Sequence, residues 1–148
     1  LNLRVMDLSD NYFTGPLPKT YFKNFNAMMN VKEANFELQY IEKYVGPSGY
    51  YYHDFLTMVI KGSTTEMEKV LTIFIAIDLS KNNFEGHIPQ IIGRLNSIRG
   101  LNLSHNSLTG HIPASLANLT MLEWLDLSSN KLTGEIPQQL RNLITLDV

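Results

Sequence analysis

Apolar residues in the second half of the chain recur at one fixed spacing. Ile98, Leu101, Leu103, Leu108 and Ile112 are repeated by Leu122, Leu125, Leu127, Leu132 and Ile136. Each set carries an Asn, a Gly and a Pro at the same offsets, Asn106, Gly110 and Pro113 in one and Asn130, Gly134 and Pro137 in the other. The step is 24 residues. Phe74, Ile77, Leu79, Asn82, Phe84, Gly86, Ile88 and Pro89 form a third copy one step earlier. Leu3, Met6, Leu8, Asn11, Phe13, Gly15, Leu17 and Pro18 form a fourth, whose Asn precedes Asn82 by 71 residues, leaving 47 beyond one period.

A period in the twenties with L-x-x-L-x-L-x-x-N is the signature of a leucine-rich repeat. Leu125 and Leu127 are two apart, so on a short strand both face inward while Trp124, Asp126 and Ser128 face outward. Stacking places such strands about 4.8 Å apart as a parallel sheet on the concave side. Asn11, Asn82, Asn106 and Asn130 follow the strands, where a buried amide bonds the backbone of its own and the neighbouring coil; they are expected to form a ladder. Gly134 permits a tight backbone, Ile136 refills the core, Pro137 stops ladder pairing, and Leu140 and Leu143 close the convex side. The expected fold class is therefore an α/β-type leucine-rich-repeat solenoid of 24-residue repeats interrupted by a β-containing island. No coil buries its own leucines, so stability comes from neighbours.

The expected domains are a repeat over 1–18, an island over 19–73, and three repeats over 74–148, the last truncated. From Lys19 to Thr72 the repeat pattern is lost, yet this stretch holds Tyr21, Phe22, Phe25, Phe36, Tyr40, Tyr44, Tyr50, Tyr51, Tyr52 and Phe55. It is too apolar for a disordered linker and should fold as an island against the solenoid. Gly46-Pro47-Ser48-Gly49 signals a turn. Phe55–Ile60 reads as a strand, Gly62-Ser63 as its turn and Glu66–Leu71 as the return strand. On one extended segment Tyr52 would share a face with Leu56, Met58 and Ile60.

Composition changes this picture little. A formal charge of −2 gives no nucleic-acid signal, and the lack of cysteine removes disulfides and thiolate metal sites. No apolar run of about 18 residues is present to span a membrane. Leu1-Asn2-Leu3 begins inside a repeat and Leu146-Asp147-Val148 ends where a strand would start, so a slice of a longer solenoid, poorly soluble alone, is expected.

No catalytic, cofactor or metal site emerges, and the chain reads as a non-enzyme. Lys61-Gly62-Ser63-Thr64 has the letters of a phosphate loop in the wrong order. His53-Asp54 lacks a nucleophile to serve. Asp7, Asp78 and Asp126, with Asn102 completing their column, could hold calcium but read as solvated concave polarity. His87 and His111 occupy equivalent positions and are expected to be stacked neighbours on an exposed flank. Trp124, in a column with Val5, Ala76 and Gly100, is the sharpest surface candidate, because tryptophan is enriched at binding hot spots; the alternative is that it shields the strand. Asn102-Leu103-Ser104 and Asn118-Leu119-Thr120 are sequons, with Asn118 on the convex turn the favoured glycan site.

Leu132-Thr133-Gly134-Glu135-Ile136-Pro137 resembles the plant-specific leucine-rich repeat. An island before a last block of repeats, with Tyr52 followed after eight residues by Lys61-Gly62, resembles plant receptor-like proteins. Asp78–Asn82, Gly86–Pro89, Leu101–Asn106 and Gly110–Ser115 are similar to the Cf/Eix-type immune receptors of nightshade-family plants. The resemblance implies the extracellular, apoplastic part of a single-pass plasma-membrane protein. It implies a microbial protein or peptide elicitor, a co-receptor kinase of the somatic-embryogenesis type, and an adaptor kinase contacted through a membrane region absent from these residues. The partner-binding positions it points to are Tyr52, Lys61, Gly62, Arg99, His105, Trp124 and Asp126. A growth or steroid receptor kinase, or a secreted inhibitor of cell-wall-degrading enzymes, stays as the alternative.

Overall fold

One short strand per repeat pairs with its neighbours because each presents an apolar residue inward between two outward ones. The computed structural model describes residues 3–29, 42–45, 50–53, 56–60, 63–67 and 74–143. In chain order its elements are β1 (Val5–Asp7), β2 (Thr14–Pro16), the one-turn helices α1 (Lys19–Phe22) and α2 (Asn26–Met29), β3 (Glu42–Val45), β4 (Tyr50–His53), β5 (Leu56–Ile60) and β6 (Ser63–Met67). They continue as β7 (Ala76–Asp78), β8 (Asn83–His87), β9 (Gly100–Asn102), β10 (Ser107–Gly110), β11 (Trp124–Asp126) and β12 (Lys131–Leu132). Two units are formed: residues 1–31 with 75–148, and residues 32–74.

In the first unit β1, β7, β9 and β11 make a parallel sheet in repeat register, with Met6, Ile77, Leu101 and Leu125 in one inward row. A second parallel sheet, β2-β8-β10-β12, was not expected from the apolar pattern. Its register lags the repeat by two residues per coil: Ser107 lies opposite Glu85, not its equivalent Asn83, and Thr109 lies opposite His87. Two residues of stagger along a strand, added to one strand spacing, put equivalent positions roughly 8 Å apart. His87 and His111 are therefore not the side-by-side pair that the sequence implied.

The coils close on 3₁₀ turns at Gln90–Arg94, Ala114–Asn118 and Gln138–Asn142. Ile92, Leu95 and Ile98 in one coil, and Leu116, Leu119 and Leu122 in the next, are all fully buried. Phe22, Phe25 and Met28 repeat that spacing of three and are buried in the same core. The amide of Met28 bonds the Phe25 carbonyl at 2.9 Å, as Ile98 bonds Leu95 at 3.1 Å and Leu122 bonds Leu119 at 2.9 Å. Residues 19–29 thus form the back of the first coil rather than the start of the island. Aromatic and methionine side chains fill the volume that isoleucine and leucine fill elsewhere. Met28 is fully buried at the position the sequence assigns to Phe74, which is only half-buried.

The inserted chain leaves after this residue and returns at Ile75. The neighbouring coil holds both sides: the Ser97 amide bonds the Met28 carbonyl at 3.0 Å, and the Arg99 amide bonds the Ile75 carbonyl at 2.7 Å. The second unit contains two antiparallel ladders, β3-β4 and β5-β6. Ile60 pairs with Ser63, so the return strand starts at Ser63, not Glu66. The threonines at 64 and 65 suit a strand as β-branched residues do. Tyr52 and Leu56 lie in different ladders, so no single register carries from one to the other.

Candidate functional site

Three columns of side chains on the first unit carry its polar chemistry. The innermost is the asparagine ladder. The Nδ2 of Asn106 donates to the carbonyl of Leu79 in the preceding coil at 3.0 Å and to Leu103 and Ser104 in its own, while its Oδ1 accepts from the amide of Phe84 at 3.0 Å. Asn82 does the same with Leu8 and Phe13, and Asn130 with Leu103 and Leu108. Asn11 bonds Leu8 and Ser9 in its own coil. One side chain so satisfies an amide of the turning backbone and adds a bond at three carbonyls, those of Leu79 and Leu103 being shared with Asn82 and Asn130.

The residue before each ladder Asn has positive φ: Asp10 at 55°, Lys81 at 51°, His105 at 52° and Ser129 at 52°. Such a conformation is uncommon without glycine. It is held because the amides of Asp10, Lys81 and His105 each bond a serine carbonyl of the following coil at 3.0 Å.

The concave column ends each strand through a repeated Asp/Asn-Leu-Ser triplet. A side-chain oxygen of Asp7, Asp78 and Asp126 accepts the amide of the serine two residues on at 2.9 Å, and Asn102 accepts from Ser104 at 3.1 Å. These are Asx turns. Asp78 and Asn102 are fully buried, contrary to the solvated column expected, and the Asn102 Nδ2 donates to the Asp78 Oδ2 at 3.2 Å. Burial pushes the Asp78 carboxyl above its usual range and nearby Asp7 adds to this, against the hydrogen bonds from Ser80 and Asn102.

Trp124 is 5% exposed, which corrects the surface position assigned to it. Its indole lies flat over Gly100, where a Cβ would overlap the ring. The reason is visible in the register: Gly100 sits directly beside Trp124 on β9 and leaves the space a side chain would take. Beside this stack Arg99 forms an ion pair with Glu123, and Asp126 stays half-buried.

The predicted partner-binding residues therefore divide. Trp124 and Asp126 lie on the concave strand β11, and Arg99 immediately precedes the neighbouring β9, the Arg99 carbonyl accepting the Trp124 amide at 3.1 Å. His105 is exposed on a separate flank formed by the turns. Tyr52 lies on β4 opposite Lys43 in the second unit, while Lys61 and Gly62 lie outside the described residues. Asn118 is exposed at the end of its 3₁₀ turn. Among the described residues no group of three His, Asp or Glu side chains could hold a metal ion, and no helix is long and apolar enough to cross a membrane. His87 and His111 are exposed, and each imidazole covers a glycine of the next coil, Gly110 or Gly134.

Comparison with known proteins agrees with this architecture. The leucine-rich-repeat family matches residues 76–132 and again residues 2–24. Receptor-like protein 32 of Arabidopsis thaliana is 50% identical over 96 residues, 65% of this chain and 11% of that protein. The Arabidopsis thaliana receptor kinase GASSHO1/SCHENGEN3, solved with CASPARIAN STRIP INTEGRITY FACTOR 2, superposes with a TM-score of 0.64 at 28% identity, covering 99% of this chain and 12% of that one. The Arabidopsis receptor kinase HAESA, solved with the peptide hormone IDA and the co-receptor SERK1, gives a TM-score of 0.60 at 27% identity, covering 98% and 17%. The chain spans about a tenth of the curated relatives it matches. It belongs to the leucine-rich-repeat family, and its similarity to plant receptor-like proteins covers 65% of its length.

Proposed function

We propose that these residues are an extracellular recognition segment of a plant immune receptor, a binding module rather than a catalyst. In this reading the whole receptor binds a microbial protein or peptide, and the inserted unit with the last coils recruits a co-receptor kinase. Kinship with the receptor-like proteins over 65% of the chain carries the reading. The HAESA complex supports the co-receptor part, since its fold holds a peptide and a co-receptor at once. The accessible charges of Arg99, Glu123 and Asp126 beside the buried Trp124 give a polar rim around a rigid aromatic, the usual anatomy of a protein contact.

Pull-down of the co-receptor from elicitor-treated plant cells tests this. The receptor carrying Lys61→Glu should be secreted normally and melt within about 0.5 kcal/mol of wild type, while Asp126→Lys also gives up the turn bond to Ser128 and should melt about 1 kcal/mol lower. Both should lose most ligand-dependent recruitment. Full recruitment by both variants refutes the assignment of this end of the chain. We also propose that Asn118 carries an N-linked glycan and Asn102 none. A sugar on the buried Asn102 amide cannot coexist with its bond to Asp78. Peptide mapping of the plant-secreted receptor should find Asn118 occupied.

A further inference from the structure

Asp10, Asn11, Tyr12, Lys81, Asn82, Asn83 and His105 line an open depression of about 400 Å³ on the flank of the first three coils. Asn11 and Asn82 are committed to the ladder. Asp10, Tyr12, Lys81, Asn83 and His105 make no side-chain hydrogen bond or ion pair with the described residues, and all five are exposed. The backbone beneath them is fixed, since Asp10, Lys81 and His105 are the positions locked at positive φ by bonds to the next coil. Exposed polar side chains usually swing freely from a mobile loop. Here Asp10, Lys81 and His105 rise from three rigid points, one per coil, so binding at them sacrifices little backbone freedom.

The chemistry selects among ligands. Tyr12 is 91% exposed and offers a bare aromatic face. Around it stand a carboxylate that only accepts, an ammonium that only donates, and an amide and an imidazole that do both. The residues that line the depression form no apolar pit to seat a peptide side chain. One acid against one base gives no reason for an ionic ligand to be preferred. A pyranose ring has an apolar C–H face ringed by hydroxyls that both donate and accept, which matches this lining.

We infer that this flank, built on Tyr12, Asp10, Lys81 and Asn83, binds a neutral oligosaccharide, the sugar ring stacked on Tyr12 with its hydroxyls shared among the other three. The site is separate from the concave edge assigned to protein partners, and does not depend on that assignment.

Calorimetric titration of the complete secreted receptor ectodomain tests it, with cellohexaose as the plant-wall probe and chitohexaose as the microbial one. Binding of either, weakened at least tenfold by Tyr12→Ala and several-fold by Asp10→Ala or Lys81→Ala, is the expected result; the stronger probe identifies the source. The melting temperature of each variant should match wild type, because the replaced side chains are exposed and unbonded. Absence of binding by both probes overturns the inference. So does affinity unchanged in Tyr12→Ala, or a preference for tri-galacturonate over both neutral sugars. Failure of the wild-type receptor to recruit a co-receptor, with sugar binding retained, counts against the proposed function alone.

Discussion

At the scale of single residues, one glycine, one tryptophan and one acid decide more than the leucines do. Gly100 is the empty place into which the Trp124 ring is laid. Gly100→Ala should expel the indole and cost about 3 kcal/mol, the range of overpacking. Trp124→Ala should cost about 3–5 kcal/mol, as for other buried aromatics. The double variant should be far less unstable than the sum, because each change removes what the other disturbs. Chemical denaturation of the four forms checks this; additive costs would mean that the two sites do not share one contact.

Asp78 gives a pH signature. Its folded-state carboxyl titrates above the unfolded one, since burial penalises the charge. Such a group contributes stability that is complete below the unfolded range and is lost as pH rises through the folded value. Asp78→Asn removes that loss, although the replacement amide gives up the acceptor for Asn102. Melting measured from acid to neutral pH should show the variant gaining on wild type by up to about 1.4 kcal/mol per pH unit across the titration. A constant difference at every pH would mean that the carboxyl is not the source.

At the scale of elements, the ladder asparagines act between coils as well as within them. Asn106→Ala strands the amide of Phe84 and removes one of the two bonds at each of the carbonyls of Leu79, Leu103 and Ser104, which keep those from Asn82, Asn130 and the Lys81 amide. With one unsatisfied amide costing about 1–3 kcal/mol, a loss of about that size is expected. Hydrogen exchange should rise in β8 and β10 together. Protection lost only in β10 would show that the coils are coupled by leucine packing alone.

The ladder, the concave strands and the back of the last coil were legible in the sequence, because those positions answer to a single constraint, burial, and the ladder and strands repeat it every 24 residues. The second sheet was not legible. Its strands, such as Asn83–His87, alternate exposed and covered side chains over too few residues, and they contain a glycine, which weakens any strand reading. Phe22, Phe25 and Met28 did keep the spacing of three that marks a coil's back, but their change of residue type hid them inside an aromatic-rich stretch. The burial of Asp78 and Trp124 was illegible for another reason. Alternation says which way a side chain leaves the strand, not whether solvent reaches it there, and a tryptophan beside glycine folds down onto the vacancy.

For the whole molecule, the repeat is what a nearest-neighbour solenoid requires: each coil is held by the next through two ladders and an asparagine. The first coil is complete, with its own strands and its own back, despite the chain inserted after it. Removing residues 29–74 would join Met28 directly to Ile75, giving Met28-Ile75-Ala76-Ile77-Asp78-Leu79, which restores L-x-x-L-x-L with methionine first. That shortened receptor should be secreted with a cooperative melt, and under the proposed function it should fail to recruit its co-receptor. Unfolded or degraded product would show that the insertion is part of the solenoid's stability.

The two bonds from Ser97 and Arg99 have a consequence for how such receptors diversify. The two donors are only two residues apart on one coil, so departure and return are clamped close together on a coil that is itself ordinary. Everything between is cargo on a fixed socket. Its length enters only through loop closure, which grows by about 0.6 kcal/mol for each doubling. A lineage is therefore free to exchange, lengthen or reshape what the socket carries, and to acquire a new specificity, without altering one leucine of the frame.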